Sequence, residues 1–152
     1  MFSKEESRRI KKEFWTKFGF FSQTKRVAMG LGKKWMTYNT GINSIILKFD
    51  FDKKLASVGI EIDANTSDEE EKYYNQFIAL KSILDKKFEK PPTWNPDFKK
   101  DSEKFVHKIY HTLDNVSVFD TTCWPSVFQF FFTYMLIYEV FIDEFKDFLQ
   151  KN

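Results

Sequence analysis

The chain has almost no cysteine and no long apolar run. Cys123 is the single cysteine in 152 residues, which excludes an internal disulfide framework and fits a reducing cytosol. Residues 1–20 are charged and amphipathic, without the apolar segment of a signal peptide. The most apolar window, residues 127–142, contains Gln129 and Glu139 and is shorter than the ~20 residues that span a bilayer. These absences predict a soluble, cytoplasmic protein without membrane contact.

The chain also lacks a large net charge, although its charge is unevenly distributed. The total is +2, but the first 34 residues have ten Lys and Arg against three Glu, so they carry +7 and the remainder −5. Such asymmetry is expected either of a solvated helix face or of a nucleic-acid contact. The near-neutral total favours the solvated face.

Aromatic residues, in contrast, are abundant. They make up 19% of the chain and include 19 phenylalanines, which is too many for a disordered protein. A chain of 152 residues is also long enough to bury about 70% of its unfolded surface in one core. We therefore expect a single domain, residues 1–152, with a core built largely of aromatic rings.

Two runs of alternating apolar residues predict a central β-hairpin. Every second residue is apolar in segments 45–51 and 56–62, so each strand has one apolar face. A turn at residues 52–55 pairs the two apolar rows, and a slip of one residue would expose one of them. The other face is expected to be solvated and carries four acids: Asp50, Asp52, Glu61 and Asp63.

Helical periodicity predicts three helices. The first ends near Gly19, the second continues to Phe88, before two prolines, and the third runs to about Leu149. Their N-terminal capping residues are predicted to be Ser3 with Glu6, Ser67 with Glu70, and Thr121 or Thr122.

Three further segments are rich in β-branched and aromatic residues and are predicted to be strands. They are residues 35–38, 105–113 and 116–119, whereas residues 23–34 and 93–102 are predicted to be loops. The predicted order is α-β-β-β-α-β-β-α. This order indicates an α+β fold, with an antiparallel sheet of about five strands and three helices on its apolar face.

The acids of the hairpin are the candidate ligands of a metal-dependent nuclease. Such a site needs several carboxylates around one ion. The predicted register places Asp50 and Glu61 about 13 Å apart, and Asp63 stands where the nuclease pattern has a lysine. A solvated sheet face is therefore the better interpretation, and no metal or cofactor is predicted.

The histidines and the cysteine are the other candidates for chemistry. His107 and His111 would share one face of a helix and bind zinc there, but their neighbours favour a strand, which separates them by about 13 Å. Cys123 lies near a predicted helix N-terminus, which makes it a weak redox candidate, and no base accompanies it in sequence. We assign no catalytic residue, and the sequence favours a non-enzyme.

Binding is thus the predicted function. The last helix is apolar nearly all round, so the sheet is expected to cover one side and another helix or a second copy of the chain the rest. We expect a small non-catalytic domain that acts through association with another protein or with itself. The alternative is a nucleic-acid-binding accessory domain that uses a basic and aromatic surface. Its candidate residues are Lys4, Arg8, Arg9, Lys11, Lys12, Arg26, Lys33, Lys34, Trp35 and Tyr38.

Four stretches resemble the bacterial family called domain of unknown function 4268. They are EFWTKFG at residues 13–19, KWMTYNTGI at 34–42, IY leading to LDNV at 109–116, and EFKDFL at 144–149. The resemblance covers nearly the whole chain, as in the short stand-alone members. Longer members carry the domain behind a nuclease-like region, which implies, by association only, an accessory role near nucleic acid. The resemblance implies no catalytic residues.

Overall fold

A computed structural model describes residues 1–150 of the chain. They form five helices and four strands, which confirms the α+β class. The elements are α1 (Lys4–Ala28), β1 (Ile45–Phe51), β2 (Leu55–Ile62), α2 (Ser67–Ala79), α3 (Lys81–Lys86), β3 (Thr93–Lys99), β4 (Phe105–Asp114), a 3-10 turn (Thr121–Cys123), α4 (Trp124–Glu144) and α5 (Lys146–Gln150).

The strands form one antiparallel sheet in the order β1-β2-β4-β3. The Asp52 N–H donates to Leu55 O over 3.1 Å, and the Asp63 N–H donates to Ser44 O over 2.9 Å. These two bonds close the β1–β2 ribbon at its two ends and match the predicted register. Seven of the eight residues of β2 are buried, so both faces of this central strand are covered.

The sheet has four strands, so the prediction of about five was wrong. Residues 35–38 and 116–119 are not strands. One backbone bond connects each segment to the hairpin, from the Leu47 N–H to Thr37 O over 2.7 Å and from the Val118 N–H to Asp52 O over 2.9 Å. A single bond does not make a ladder, and apolar composition alone cannot distinguish a packed loop from a strand.

Strand β3 lies in the segment that was predicted to be a polar loop. Trp94 pairs with Ile109 and Phe98 with Val106, and the register shifts between Asn95 and Phe98. Pro96, which has no N–H to donate, falls in this irregular stretch of an edge strand, where proline is tolerated. Five of the seven side chains are polar or proline, so the alternation that reveals a strand is absent.

Helix α1 does not end at Gly19 but continues to Ala28. Phe14, Phe18, Ser22 and Arg26 are all buried, and their spacing of four residues places them on one side of the helix. This packing continues on both sides of the glycine and outweighs its low helix propensity. The Ser3 and Glu6 capping box is present as predicted.

The second predicted helix is divided into α2 and α3 at Leu80. Its predicted buried side is confirmed, because Tyr73, Phe77, Leu84 and Phe88 are buried as Leu80 is. The predicted capping residues were wrong. They are replaced by Thr66, whose side chain accepts from the Glu69 N–H, and the predicted partner Glu70 instead accepts from the Ala64 N–H over 3.1 Å.

The last helical segment begins with the 3-10 turn and divides at Phe145 into α4 and α5. The turn is capped by Asp120, whose carboxylate accepts from the Thr122 N–H, and not by Thr121 or Thr122 as predicted. Residues 121–144 contain an 18-residue window with a mean hydropathy of 1.4, so this segment is long and apolar enough to cross a membrane by length and composition alone. The buried core helix of a protein can be equally long and apolar. The prediction that this segment is too short to span a bilayer, which was made from residues 127–142, was nevertheless wrong.

The chain divides into two compact units, each assembled from several segments. The first unit comprises Met1–Trp35, Phe49–Ser57 and Thr112–Thr133. Its centre is Phe14, which is fully buried. The Phe14 ring centroid lies 4.7 Å from that of Phe51, 5.3 Å from that of Trp124 and 6.1 Å from that of Phe131. The predicted aromatic core is thus found in this unit.

The second unit comprises Met36–Lys48, Val58–His111 and Tyr134–Asn152. Its core combines aliphatic strand residues with aromatic helix residues, among them Leu47, Ile60, Phe77, Tyr138 and Phe141, all of which are fully buried. The first unit has twelve Lys and Arg against seven Asp and Glu, and the second has twelve against fifteen. The net charges are therefore +5 and −3. The single-domain organisation remains a prediction.

Replacing Gly19 by alanine is expected to stabilise the protein by about 0.5–1 kcal/mol, because alanine loses less backbone entropy in a helix than glycine. A Cβ added at Gly19 meets no heavy atom within 4 Å. Urea unfolding followed by circular dichroism measures the change.

The control for this prediction is Gly59→Ala in β2. There an added Cβ would lie 2.6 Å from the Tyr110 Cα, so this substitution is expected to destabilise the protein. If Gly19→Ala instead lowered the free energy of unfolding, α1 would not continue through residue 19 as described.

Candidate binding surfaces

The sequence predicted that Glu61 is solvated, and this was wrong. Glu61 is almost completely buried, with 1% of its surface exposed. Its Oε1 lies 2.8 Å from Lys100 Nζ, and its Oε2 lies 3.6 Å from Lys48 Nζ. A carboxylate buried this deeply needs such partners. The polar face of the hairpin is therefore an internal ion-pair layer at this position.

Asp63 extends the same layer of ion pairs. We call it the lysine–carboxylate layer, and its members are Lys48, Glu61, Asp63, Glu70, Lys100 and Lys104. Asp63 Oδ2 lies 3.0 Å from Lys100 Nζ, and Lys104 binds Asp63 Oδ1. Lys104 also donates to Ala64 O over 2.8 Å and lies 3.7 Å from Glu70. Three lysines thus neutralise three carboxylates.

The pKa shifts in this layer keep its groups charged. Burial acts to raise the pKa of Asp63, but hydrogen bonds from Lys104 and Lys100 outweigh it and lower this pKa. The hydrogen bond to Glu61 raises the pKa of Lys100, which burial alone would lower. General acid–base catalysis needs a pKa near the working pH, and these two shifts move both groups away from it.

The metal-dependent nuclease, the third hypothesis from the sequence, lacks a ligand set in the part of the chain that the structure describes. Within residues 1–150 no three His, Cys, Asp or Glu side chains are grouped closely enough to hold a metal ion. The ammonium groups of Lys100 and Lys104 stand beside Asp63, where a cation would otherwise bind.

His107 and His111 lie on β4, as predicted, and His111 is 7% exposed. His111 Nε2 lies 2.7 Å from Lys90 O, and its Nδ1 lies 2.7 Å from Tyr138 Oη. Because a carbonyl only accepts, Nε2 carries the proton, and the Tyr138 hydroxyl donates to Nδ1. Burial lowers the pKa of His111 and raises that of Tyr138. The pair is neutral and has a structural role.

His107 has a ring-packing contact, and the Cys123 thiol donates to two backbone carbonyls. The His107 ring lies 4.5 Å from the Tyr74 ring, and its buried Nδ1 has no hydrogen-bond partner among residues 1–150. Cys123 is half-buried, and its Sγ lies 3.0 Å from Asp120 O and 3.2 Å from Ser117 O. Carbonyl oxygens do not deprotonate a thiol, so these contacts provide no activation.

Arg26 was predicted to belong to an exposed surface, and this was wrong. It is 4% exposed, its Nε donates to Gly32 O over 2.7 Å, and its guanidinium carbon lies 4.3 Å from the Trp35 ring centroid. The half-buried Trp35 ring also contacts Phe49 and Phe132, at 5.9 and 5.4 Å. Both side chains therefore hold the loop after α1. Trp94 is half-buried as well and donates to Asp85.

The other predicted residues are exposed and belong to three different segments of the chain. Lys33 and Lys34 follow α1, and Tyr38, which is 73% exposed, belongs to the second unit. The remaining five, all in the first three turns of α1, are Lys4, Arg8, Arg9, Lys11 and Lys12.

These five cations are not stabilised by ion pairs. None of them forms an ion pair with any residue from 1 to 150. Lys4, in the first turn, also opposes the helix dipole at a cost of about 0.3–1 kcal/mol. The like-charged pairs Lys4–Arg8 and Arg8–Lys12 are four residues apart and cost about 0.2–0.5 kcal/mol each. Helix stability does not explain this cluster.

The second unit has an exposed apolar surface on its helices, which we call the helical apolar surface. It comprises Ile78, Ile83, Val140 and Phe148, which are between 41% and 50% exposed. These helices contact one another, since Gln76 Nε2 lies 3.5 Å from Phe148 O, and Lys87 Nζ lies 3.5 Å from Glu144 Oε1. Ile83 and Val140 are each one turn before a partner of that ion pair, so they lie on the helix faces that it joins.

The second unit also has a polar depression of about 490 Å³, lined by residues 38–46 and Asp63. Thr40 Oγ1 fixes the loop by donating to Ile45 O over 2.8 Å. Ser44 has a φ of 73°, a left-handed conformation that non-glycine residues rarely adopt. Sequence reasoning missed this depression. Its one signal was the predicted turn at residues 39–41.

Lys100→Met is expected to destabilise the protein by about 3 kcal/mol, because it leaves the buried Glu61 with a partner only at 3.6 Å. Chemical unfolding at neutral pH measures the loss. Lys99→Met is the matched control, since Lys99 pairs with Glu103 on the surface, where the side chains are 54% and 77% exposed. Its effect should stay within about 0.5 kcal/mol. Equal effects of the two substitutions would contradict the role of the layer.

The free energy of unfolding is expected to decrease as the pH falls below about 6.5, the unfolded pKa of histidine. The unfolded chain then binds a proton that the buried His111 resists. His111→Gln preserves a donor for Lys90 O and an acceptor for Tyr138 without a titrating group. This substitution should therefore weaken the pH dependence of the free energy of unfolding between about pH 7 and 5.

Thermal unfolding across this pH range tests the prediction, with His107→Gln as the control for removing a histidine from the same strand. An unchanged pH dependence in His111→Gln would show that the acid response has another origin.

Comparison with known proteins adds a family without an assigned activity. A family model described as a domain of unknown function, DUF4268, matches residues 10–146. Searches of curated proteins and of solved structures find no match. The family match covers nearly the whole chain and agrees with the resemblance seen in the four sequence stretches.

Proposed function

The chain belongs to the DUF4268 family, whose description states no activity, and we propose that it is a small non-catalytic domain that acts through protein association. The observation that carries this proposal is the helical apolar surface of the second unit. Four large apolar side chains on four different helices are each more than 40% exposed there. Of these, Ile83 and Val140 lie on helix faces that one ion pair joins, and exposed apolar residues that lie together are characteristic of protein–protein contacts.

The chemistry of the polar residues supports a non-catalytic role. The lysine–carboxylate layer is neutralised internally, and the two nitrogens of His111 are both used in hydrogen bonds. An active site needs a group that is reactive and accessible. Glu61 and His111, at 1% and 7% exposure, are not accessible.

A second copy of the chain is the partner that fits this surface. A two-fold interface brings the same surface together twice, so it must be self-complementary. The faces that carry Ile83 and Val140 are joined by Lys87 and Glu144, one residue of each charge. In a pair of copies, the Lys87–Glu144 ion pair of each copy borders the apolar centre. Such a polar rim is typical of protein interfaces.

Val140→Glu is expected to abolish self-association, because it places an unpaired charge in the centre of the apolar contact. Sedimentation equilibrium at high micromolar concentration measures the mass of the wild type and of the variant. Phe105→Glu is the matched control. Phe105 is 51% exposed, but it begins β4 and lies outside the helical surface, so this variant should associate like the wild type. A monomeric wild type would overturn the proposal.

A further inference from the structure

The first three turns of α1 extend beyond the part of the helix that is buried. Lys4, Lys11 and Phe18 are seven residues apart and therefore lie on the same side of the helix. Phe18 is 4% exposed, whereas Lys4 and Lys11 are exposed. The side of α1 that faces the aromatic core in its middle thus continues towards the N-terminus as an open cationic side.

The charges of this segment are sorted by helix face. Lys4, Arg8 and Lys11 lie at positions i, i+4 and i+7 of one face, and Lys12 adjoins it. Arg9 follows Arg8 and lies about 100° around the helix from it, three residues from Glu6 and four from Glu13. Arg9 accordingly acts on Glu6 and contributes to lowering its pKa, after the larger effect of the Ser3 hydrogen bonds. Glu5, three residues before Arg8, borders the cationic face but forms no ion pair with its cations among residues 1–150.

An aromatic pair borders the same face. The rings of Phe2 and Phe119 stack with their centroids 5.5 Å apart at an angle of 28°. Lys11 Nζ lies 5.8 Å from the Phe119 centroid, so the cations and the rings are contiguous. Phe2 is 46% exposed and offers a free ring surface. All of these residues belong to the first unit, whose net charge is +5.

We propose that this surface, made by Phe2, Lys4, Arg8, Lys11, Lys12 and Phe119, binds single-stranded nucleic acid. The cations contact successive phosphates, and an unpaired base stacks on Phe2. A phosphate backbone removes the repulsion between Lys4, Arg8 and Lys12, which no residue from 1 to 150 neutralises. The exposed ring favours a single strand over a duplex, because only unpaired bases present a face for stacking. An acidic protein would use the cations but not the ring.

The test is fluorescence anisotropy with a labelled oligothymidylate of about 12 nucleotides, titrated between about 50 and 200 mM salt. The full chain carrying Val140→Glu is used, so that self-association does not enter the measurement. Arg8→Gln is expected to reduce the slope of log K against log salt by about 0.7, the contribution of one phosphate contact to a single strand. Phe2→Ala is expected to weaken binding about tenfold without changing that slope.

Arg9→Gln is the matched control, because it removes the same charge from the same turn, on the side that faces Glu6 and Glu13. It should leave both the affinity and the slope nearly unchanged. Since all three residues are exposed, circular dichroism is expected to show the same helix content in every variant.

Three outcomes would overturn the proposal. The first is the absence of binding at the lowest salt concentration. The second is an equal effect of Arg8→Gln and Arg9→Gln, which would indicate general attraction to a basic segment. The third is displacement of the oligonucleotide by polyglutamate, or tighter binding of a duplex of the same length, which would identify another class of partner.

Discussion

The burial of β2 on both faces is the constraint on which the sheet depends. Its apolar residues Ala56, Val58, Ile60 and Ile62 have no exposed surface, and the opposite face has to be closed as well. Gly59 closes it at one point, where the backbone of β4 comes too close for any side chain. Glu61 closes it at another, with Lys48 and Lys100 as partners. A strand whose two faces are both covered leaves no solvated side for its charges, so these charges have to be paired.

The same physical rule separates the charges that maintain the fold from those available for binding. A buried carboxylate without a partner is too costly, so Glu61 and Asp63 are held by lysines at 2.8 and 3.0 Å. The cations of the first turns of α1 are solvated and have no such requirement. They remain unpaired among residues 1–150, although pairing would stabilise the helix. Binding is therefore best sought where charge is left unneutralised and where apolar side chains are left exposed.

The sequence predicted the candidate surfaces only in part, and the reasons differ from residue to residue. Lys4, Arg8 and Lys11 were identified because charged side chains near a helix N-terminus are solvated under most packings. Arg26 could not be separated from them, because burying it depends on how the loop after α1 folds back to place Trp35 and the Gly32 carbonyl beside it. The helical apolar surface was missed, since Ile83 and Val140 look in sequence like residues of the core. Their exposure depends on which helices pack over them.

Local patterns were sufficient for the α+β class, the hairpin register, the capping box at Ser3 and the buried side of α2 and α3, because these follow from periodicity and from contacts between near neighbours. The end of α1, the edge strand β3 and the interruption at Leu80 depended on the tertiary structure. In each of them, tertiary packing outweighs local propensity. The buried side chains of Ser22 and Arg26 extend α1 beyond Gly19, and pairing with β4 makes the proline-containing segment a strand, β3. The burial of Glu61 also depends on the tertiary structure, because its partner Lys100 is 39 positions later in the chain.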